Sequence, residues 1–256
     1  MRLCKCVPFL QRMRKLLLVF ALLLCAAPSW AAMLCKQGQS SSGCATVTGS
    51  GATVVTGTAA TGTFTFTNNI TAGDLVIVEI ITTTATLTST TGSSDTFTQD
   101  LTFNDTQGDF VYLFHTCASV GGYAAVVGHF PSSTDFTIVA QEFSGGAATS
   151  CLDNTNIGTV TATSPVSSGA ATQVGNDTFV TVFTDGNGTS ATNPSGFTAL
   201  YQNLTGEMLA AAYVITTDAS SRTASWAWTG GGDANAAIAS FKPAASNNTP
   251  NHGTVF

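Results

Sequence analysis

Charge is what this chain has least of. Eight Lys and Arg with fourteen Asp and Glu make up 9% of 256 residues, where roughly 25% is ordinary for a soluble domain. Five of the eight basic residues fall within the first fifteen positions, so the rest of the chain sets Lys36, Arg222 and Lys242 against all fourteen acids, a formal charge of −11. Without clustered Lys and Arg there is nothing to neutralise phosphates, which excludes nucleic acid and anionic lipid as partners. Long apolar runs are equally scarce. The one candidate, Leu16 to Ala27, is too short to span a bilayer; it follows the basic stretch and precedes the small residues Ser29 and Ala31. That order predicts a secretory signal over residues 1–31, with an exported remainder that has no membrane span. Cys25 and Cys35 each follow a leucine, so neither reads as a lipid-anchored cysteine. No convincing helical period occurs after the signal. No G-x-S-x-G nucleophile elbow, phosphate loop or dinucleotide fingerprint is found either.

What remains is rich in Thr, Ser, Asn and Gly between short runs of β-branched and aromatic residues. Such runs, bounded by turn-forming clusters, predict an all-β chain. Expected strands include residues 63–67, 74–88, 95–103, 109–117, 123–130, 135–143, 157–163, 177–184, 197–202, 207–216, 222–228 and 235–242. Several are apolar on both faces, as in strands at the centre of packed sheets. Of seven cysteines, Cys35, Cys44, Cys117 and Cys151 lie beyond the signal. An even number in an oxidising compartment favours disulfides. Of three possible pairings, the expected one joins Cys35 to Cys44 across a short N-terminal loop and Cys117 to Cys151 across two strand ends.

The segments "GDLVIVEI" (73–80), "VYLFHTCAS" (111–119), "EFSG" (142–145) with "LD" (152–153), "NDTFVTVF" (176–183), "GFTAL" (196–200) and "NAAIASFKPA" (235–244) resemble, in order and spacing, a jelly-roll-type domain common in secreted bacterial proteins. The resemblance covers about residues 46–244. It implies an antiparallel two-sheet β-sandwich of jelly-roll or concanavalin-like type, placed outside the cell, and it supplies no catalytic residues. The expected organisation is then a signal at 1–31, a cysteine-bearing segment at 32–45, the sandwich at 46–244 and a frayed tail at 245–256.

Four groups of residues invite a functional reading. Trp226 and Trp228 share one face of a strand and could stack on a sugar ring, or else fill the core. Glu79 and Glu142 each sit inside an apolar strand; drawn together, they could serve a glycosidase as acid and nucleophile or base. Asp105 and Asp109, in an oxygen-rich stretch from Asp95 to Asp109, are candidate calcium ligands, and "DGNG" (185–188) is a second such loop; the alternative is a pair of hairpin turns. His115, His129, Cys117 and Cys151 permit a zinc site to be drawn, although the spacing matches no standard zinc pattern. Rows of threonine at 63–67 and 82–90 suit half-exposed strands. The expectation is a secreted, non-enzymatic module that binds a glycan or another cell-surface component. The alternatives are a glycoside hydrolase using Glu79 and Glu142, and an assembly module that binds protein.

Overall fold

The computed structural model describes residues 47–50, 55–84, 86–87, 89–92, 94–117, 119–145, 149–173, 175, 177–204, 208–230 and 232–243. The expected signal, the Cys35–Cys44 pair and the tail at 245–256 lie outside them. The described residues form sixteen strands and no helix, so none is long and apolar enough to cross a membrane. The fold is an all-β sandwich of antiparallel sheets.

The largest sheet runs in the order β5 (Asp95–Thr96), β4 (Ser89–Gly92), β8 (Ala125–Phe143), β3 (Leu75–Thr82), β7 (Phe110–Thr116), β6 (Thr98–Asn104), with β1 (Val47–Ser50) and β2 (Val55–Thr65) also paired to β8. A second sheet runs β13 (Thr198–Asn203), β14 (Leu209–Ile215), β11 (Thr178–Asp185), β16 (Ala234–Phe241), β9 (Leu152–Ile157). A third, smaller sheet runs β10 (Val166–Ala171), β15 (Arg222–Gly230), β12 (Gly188–Thr192).

The five-stranded sheet lies between the other two. Along β11, Val180 and Val182 belong to the core shared with the large sheet, whereas Phe179 and Phe183 belong to the core shared with the small one. The same split divides Ala237, Ala239 and Phe241 from Ala234, Ala236 and Ile238 on β16. Every residue of β11 and of β16 is buried. Their near-continuous apolar sequence follows from two-sided burial, because alternation survives only where one face meets water. Alanines on β14 and β16 leave room on the outward face for Trp226 and Phe183, whose rings stack at 5.4 Å. The Trp226 Nε1 donates to Thr181 Oγ1 at 3.0 Å, and Thr181 in turn donates to the Ala237 carbonyl at 2.9 Å.

The large sheet bends over itself, so that every residue of β3 is buried and the first core extends to its far face. Strand β8 pairs with β3 through residues 136–143 and with β4 through 127–129. Its first half folds back over its second half. A Cβ on Gly128 would stand 2.9 Å from Ile80 Cδ1 and 3.6 Å from Ile138 Cδ1, and one on Gly62 would meet the Phe136 ring at 2.5 Å. Glycine at Gly62 therefore permits the close approach of the Phe136 ring, whereas at Gly128 the end of the Ile80 side chain would have to shift. The Cys117–Cys151 disulfide, with Cα atoms 5.4 Å apart, joins the end of β7 to the start of β9 and so ties the large sheet to the middle one.

Three strand expectations change. Strand β3 ends at Thr82, where Thr82 and Thr83 hydroxyls bond Thr134, so the expected strand does not continue through Thr84. The run 157–163 is not a strand; β9 ends at Ile157 and only an isolated bridge from Thr161 to Ala234 follows. Strands β10 and β12 were not foreseen, since "VSSGAA" and "GTSAT" carry little apolar signal.

Replacing Thr181 by Val keeps shape but leaves the buried indole N–H unpaired. A stability loss of about 1–3 kcal/mol is expected in urea unfolding, with the native spectrum unchanged.

Candidate functional site

Trp226 is fully buried and Trp228 is 7% exposed. Both rings point from β15 into the core beneath it, flanking Phe183 at 5.4 and 5.9 Å. A stacking platform needs an open ring face, and neither has one. The sugar-platform reading is therefore corrected in favour of the core, and Gly232 and Asp233 lead into β16. There Thr106 bonds the Asp233 carboxylate.

Glu79 and Glu142 do not converge. In the β3–β8 ladder Glu79 stands opposite Val139 and Val76 stands opposite Glu142. Side chains alternate with period two, so the two carboxyls occupy opposite faces of one sheet, and the paired-carboxylate hydrolase reading loses its geometry. Glu79 faces the middle sheet with no exposure. The Gln141 amide, oriented with its nitrogen inward, donates to both carboxyl oxygens at 2.8 and 2.7 Å. Burial pushes Glu79 well above the usual carboxylate range, and both burial and the nearby Glu79 push Tyr201 up. Glu142 accepts the Thr71 N–H at 2.6 Å and hydrogen-bonds Asp74; burial and that second carboxyl raise its pKa.

Asp105 organises its own turn. Its Oδ1 accepts the backbone N–H groups of Gln107, Gly108 and Asp109 at 2.9, 3.0 and 3.1 Å. A carboxylate so surrounded by N–H donors is an Asx-type turn, and no third carboxylate joins Asp105 and Asp109 in a cluster among the described residues. The loop at 185–188 is built likewise, with Asp185 Oδ1 accepting the Asn187 N–H at 3.2 Å. Both loops are thus turns capped through Oδ1, and the buried Oδ2 of Asp105 and of Asp185 has no hydrogen-bond partner among the described residues.

One group of metal-ligand type does assemble. A ring nitrogen of His115 and the sulfurs of Cys117 and Cys151 lie within 4.8 Å of one another, the sole such group of three among the described residues. His129 is elsewhere, its Nε2 on the Thr91 hydroxyl at 3.1 Å. His115 projects from β7 toward the middle sheet, with its ring 5.5 Å from that of Phe241. Its Nδ1 meets Asp100 Oδ1 at 2.5 Å. Asp100 is the extra residue of a bulge in β6, between Gln99 opposite Phe114 and Leu101 opposite Leu113. Bulges commonly re-aim a side chain, and this one accompanies a fully buried carboxylate whose Oδ2 has no partner. Burial raises the Asp100 pKa, opposed by His115. In the sequence Asp100 stands out only as one acid of the oxygen-rich stretch from Asp95 to Asp109; its pairing with His115 is not legible there, because a bulge has no periodic signature.

The outer face of the small sheet is the reverse of its tryptophan side. Thr223, Ser225, Ala227 and Thr229 of β15 are exposed in alternation with the buried Ala224, Trp226 and Trp228. Register places Ser167 of β10 beside Ser225, and Thr192 of β12 beside Ala227. Comparison with protein-family models finds no match, and comparisons with curated proteins and with solved structures find none either.

Acidity should act in an unusual direction. Burial, followed by the neighbouring Asp153, pushes Asp177 up to about 6; Glu79, Asp100, Asp105, Glu142 and Asp185 are also raised, with burial the leading cause in each. A carboxyl whose folded pKa exceeds its unfolded value favours folding when protonated. For Asp177 that stability is complete below about 4 and is lost as pH rises through about 6. The thermal midpoint is expected to rise as pH falls from 7 toward 5. Asp177→Asn should flatten part of that slope, and a midpoint that instead falls steadily over this range would contradict the assignment.

Proposed function

We propose that this chain is an exported, non-enzymatic β-sandwich module that binds a neutral, hydroxyl-rich glycan at a surface. The observation that carries the reading is the outer face of β10, β15 and β12. It presents Ser167, Thr192, Thr223, Ser225 and Thr229 around Ala227. Hydroxyls of this kind exchange hydrogen bonds with sugar hydroxyls without the desolvation cost of charge. Protein interfaces usually centre on buried aromatic or aliphatic anchors. Among the described residues the only large hydrophobics left exposed are Val120 and Ile157, which favours a polar ligand over a protein partner.

Two further features support placement outside the cell. The Cys117–Cys151 disulfide suits an oxidising compartment, and residues 1–31 read as an export signal. Charge also fits a neutral ligand: Arg222 is paired with Asp218 at 2.8 Å and Lys242 with Asp153 at 3.1 Å.

A broad glycan array, run with and without calcium, tests the proposal. Selective binding to a neutral glycan is expected. Ser225→Lys with Ala227→Lys should weaken it at least about tenfold, roughly the loss of one or two hydrogen bonds, while leaving the fold intact. Failure of the wild-type chain to bind any glycan would overturn the reading, and self-association or capture of an envelope protein would then favour an assembly role. Binding that survives in the folded double variant would remove this face from the site.

A further inference from the structure

The cluster at the junction of β7 and β9 has more chemistry than a structural disulfide requires. Disulfides that only staple two sheets need packing around the sulfurs. Here a buried imidazole stands against them, and the imidazole is held by a carboxylate that burial makes costly. Asp100 is fully buried at its side chain, bonds His115 through Oδ1 at 2.5 Å, and leaves Oδ2 without a partner. An apolar pair of similar volume would fill this space at less cost, so the Asp100–His115 pair is unexplained by stability alone.

We propose that, once the Cys117–Cys151 disulfide is reduced, this cluster binds one thiophilic divalent cation, for which zinc is the probe. The ligands are Cys117 Sγ, Cys151 Sγ and His115 Nε2, the ring nitrogen that Asp100 leaves free. A ring nitrogen of His115 and the two sulfurs already lie within 4.8 Å of one another. Tetrahedral zinc, with bonds of about 2.0–2.3 Å to nitrogen and sulfur, holds its donors roughly 3.3–3.8 Å apart. Opening the disulfide lets the sulfurs separate to that spacing with small side-chain movement. The fourth position would be taken by water. Asp100 supplies the outer partner that metal-bound histidines commonly have, fixing which nitrogen faces the metal.

The redox step balances with an external dithiol. The dithiol gives two electrons and two protons to the disulfide and becomes a disulfide itself, leaving Cys117 and Cys151 as thiols. The cation then displaces one proton from each thiol and binds both as thiolates. The cluster would thus exist in two forms, a covalent staple under oxidising conditions and a metal staple under reducing ones. Both join the same two sheets at the same place. This proposal is independent of the glycan reading.

The test uses the full chain, reduced anaerobically by a dithiol that is then removed, and titrated with Co(II) and then Zn(II). Near-ultraviolet circular dichroism monitors the fold. One equivalent of Co(II) should produce a thiolate-to-cobalt charge-transfer band that Zn(II) displaces. Zn(II) should raise the melting temperature of the reduced chain and leave that of the oxidised chain unchanged. The band should persist in Cys35→Ser/Cys44→Ser and vanish in Cys117→Ser. Asp100→Asn should weaken zinc affinity about 10–100-fold, the usual effect of removing such a partner. His115→Gln should change the cobalt spectrum to that of a site without imidazole. Absence of the band in the wild type would overturn the proposal, as would a band unaltered by His115→Gln, or a reduced chain that stays unfolded with zinc present.

Discussion

A β-sheet buried on both faces must find apolar partners for each side of every strand, and the middle sheet of this protein depends on that constraint. Strands β11 and β16 have no exposed residue. Their alternate side chains feed two separate cores, one shared with the large sheet and one with the small sheet. Each fully buried large side chain contributes roughly 1.5–3 kcal/mol. Cores on both sides of one sheet therefore supply much of the stability, with few ion pairs among the described residues. The small sheet is required in this scheme, since without it Phe179, Phe183 and Ile238 would face water.

Two-sided burial also explains why so many polar side chains lie inside. Thr181 occupies an interior position because the Trp226 indole needs an acceptor there. Glu79 and Gln141 satisfy each other between the large and middle sheets. Asp177 lies near Asp153 and Lys242, where burial and a neighbouring acid keep it easily protonated. A weakly charged surface and carboxyls drawn inward are two aspects of the same distribution: among the described residues few acids are left to solvate the exterior.

Fold class was readable from composition and periodicity, because two-residue alternation and apolar runs are local properties of strands. Register was not. The faces occupied by Glu79 and Glu142 along their own strands could be read from alternation, but their placement on opposite sides of one sheet follows only from the pairing of Val76 with Glu142. Trp226 and Trp228 share a face, as alternation requires, and burial of that face is decided by a partner sheet distant in sequence. Strands β10 and β12 escaped notice because they carry mostly Ser, Thr, Gly and Ala. Their value lies in what they cover. Asp100 was legible only as one acid of an oxygen-rich stretch; its place beside His115 was not, since one inserted residue breaks the very period by which strands are recognised.

Strand β8 is the common partner of β1, β2, β3 and β4, and it begins only at Ala125. All four partners precede it in the chain. As the polypeptide emerges from the ribosome, the largest sheet therefore lacks its organising strand until more than half of the chain has been made. Sheets assembled from such distant segments fold slowly. The contacts that the bend in β8 makes between its two halves are therefore among the last of that sheet to become available.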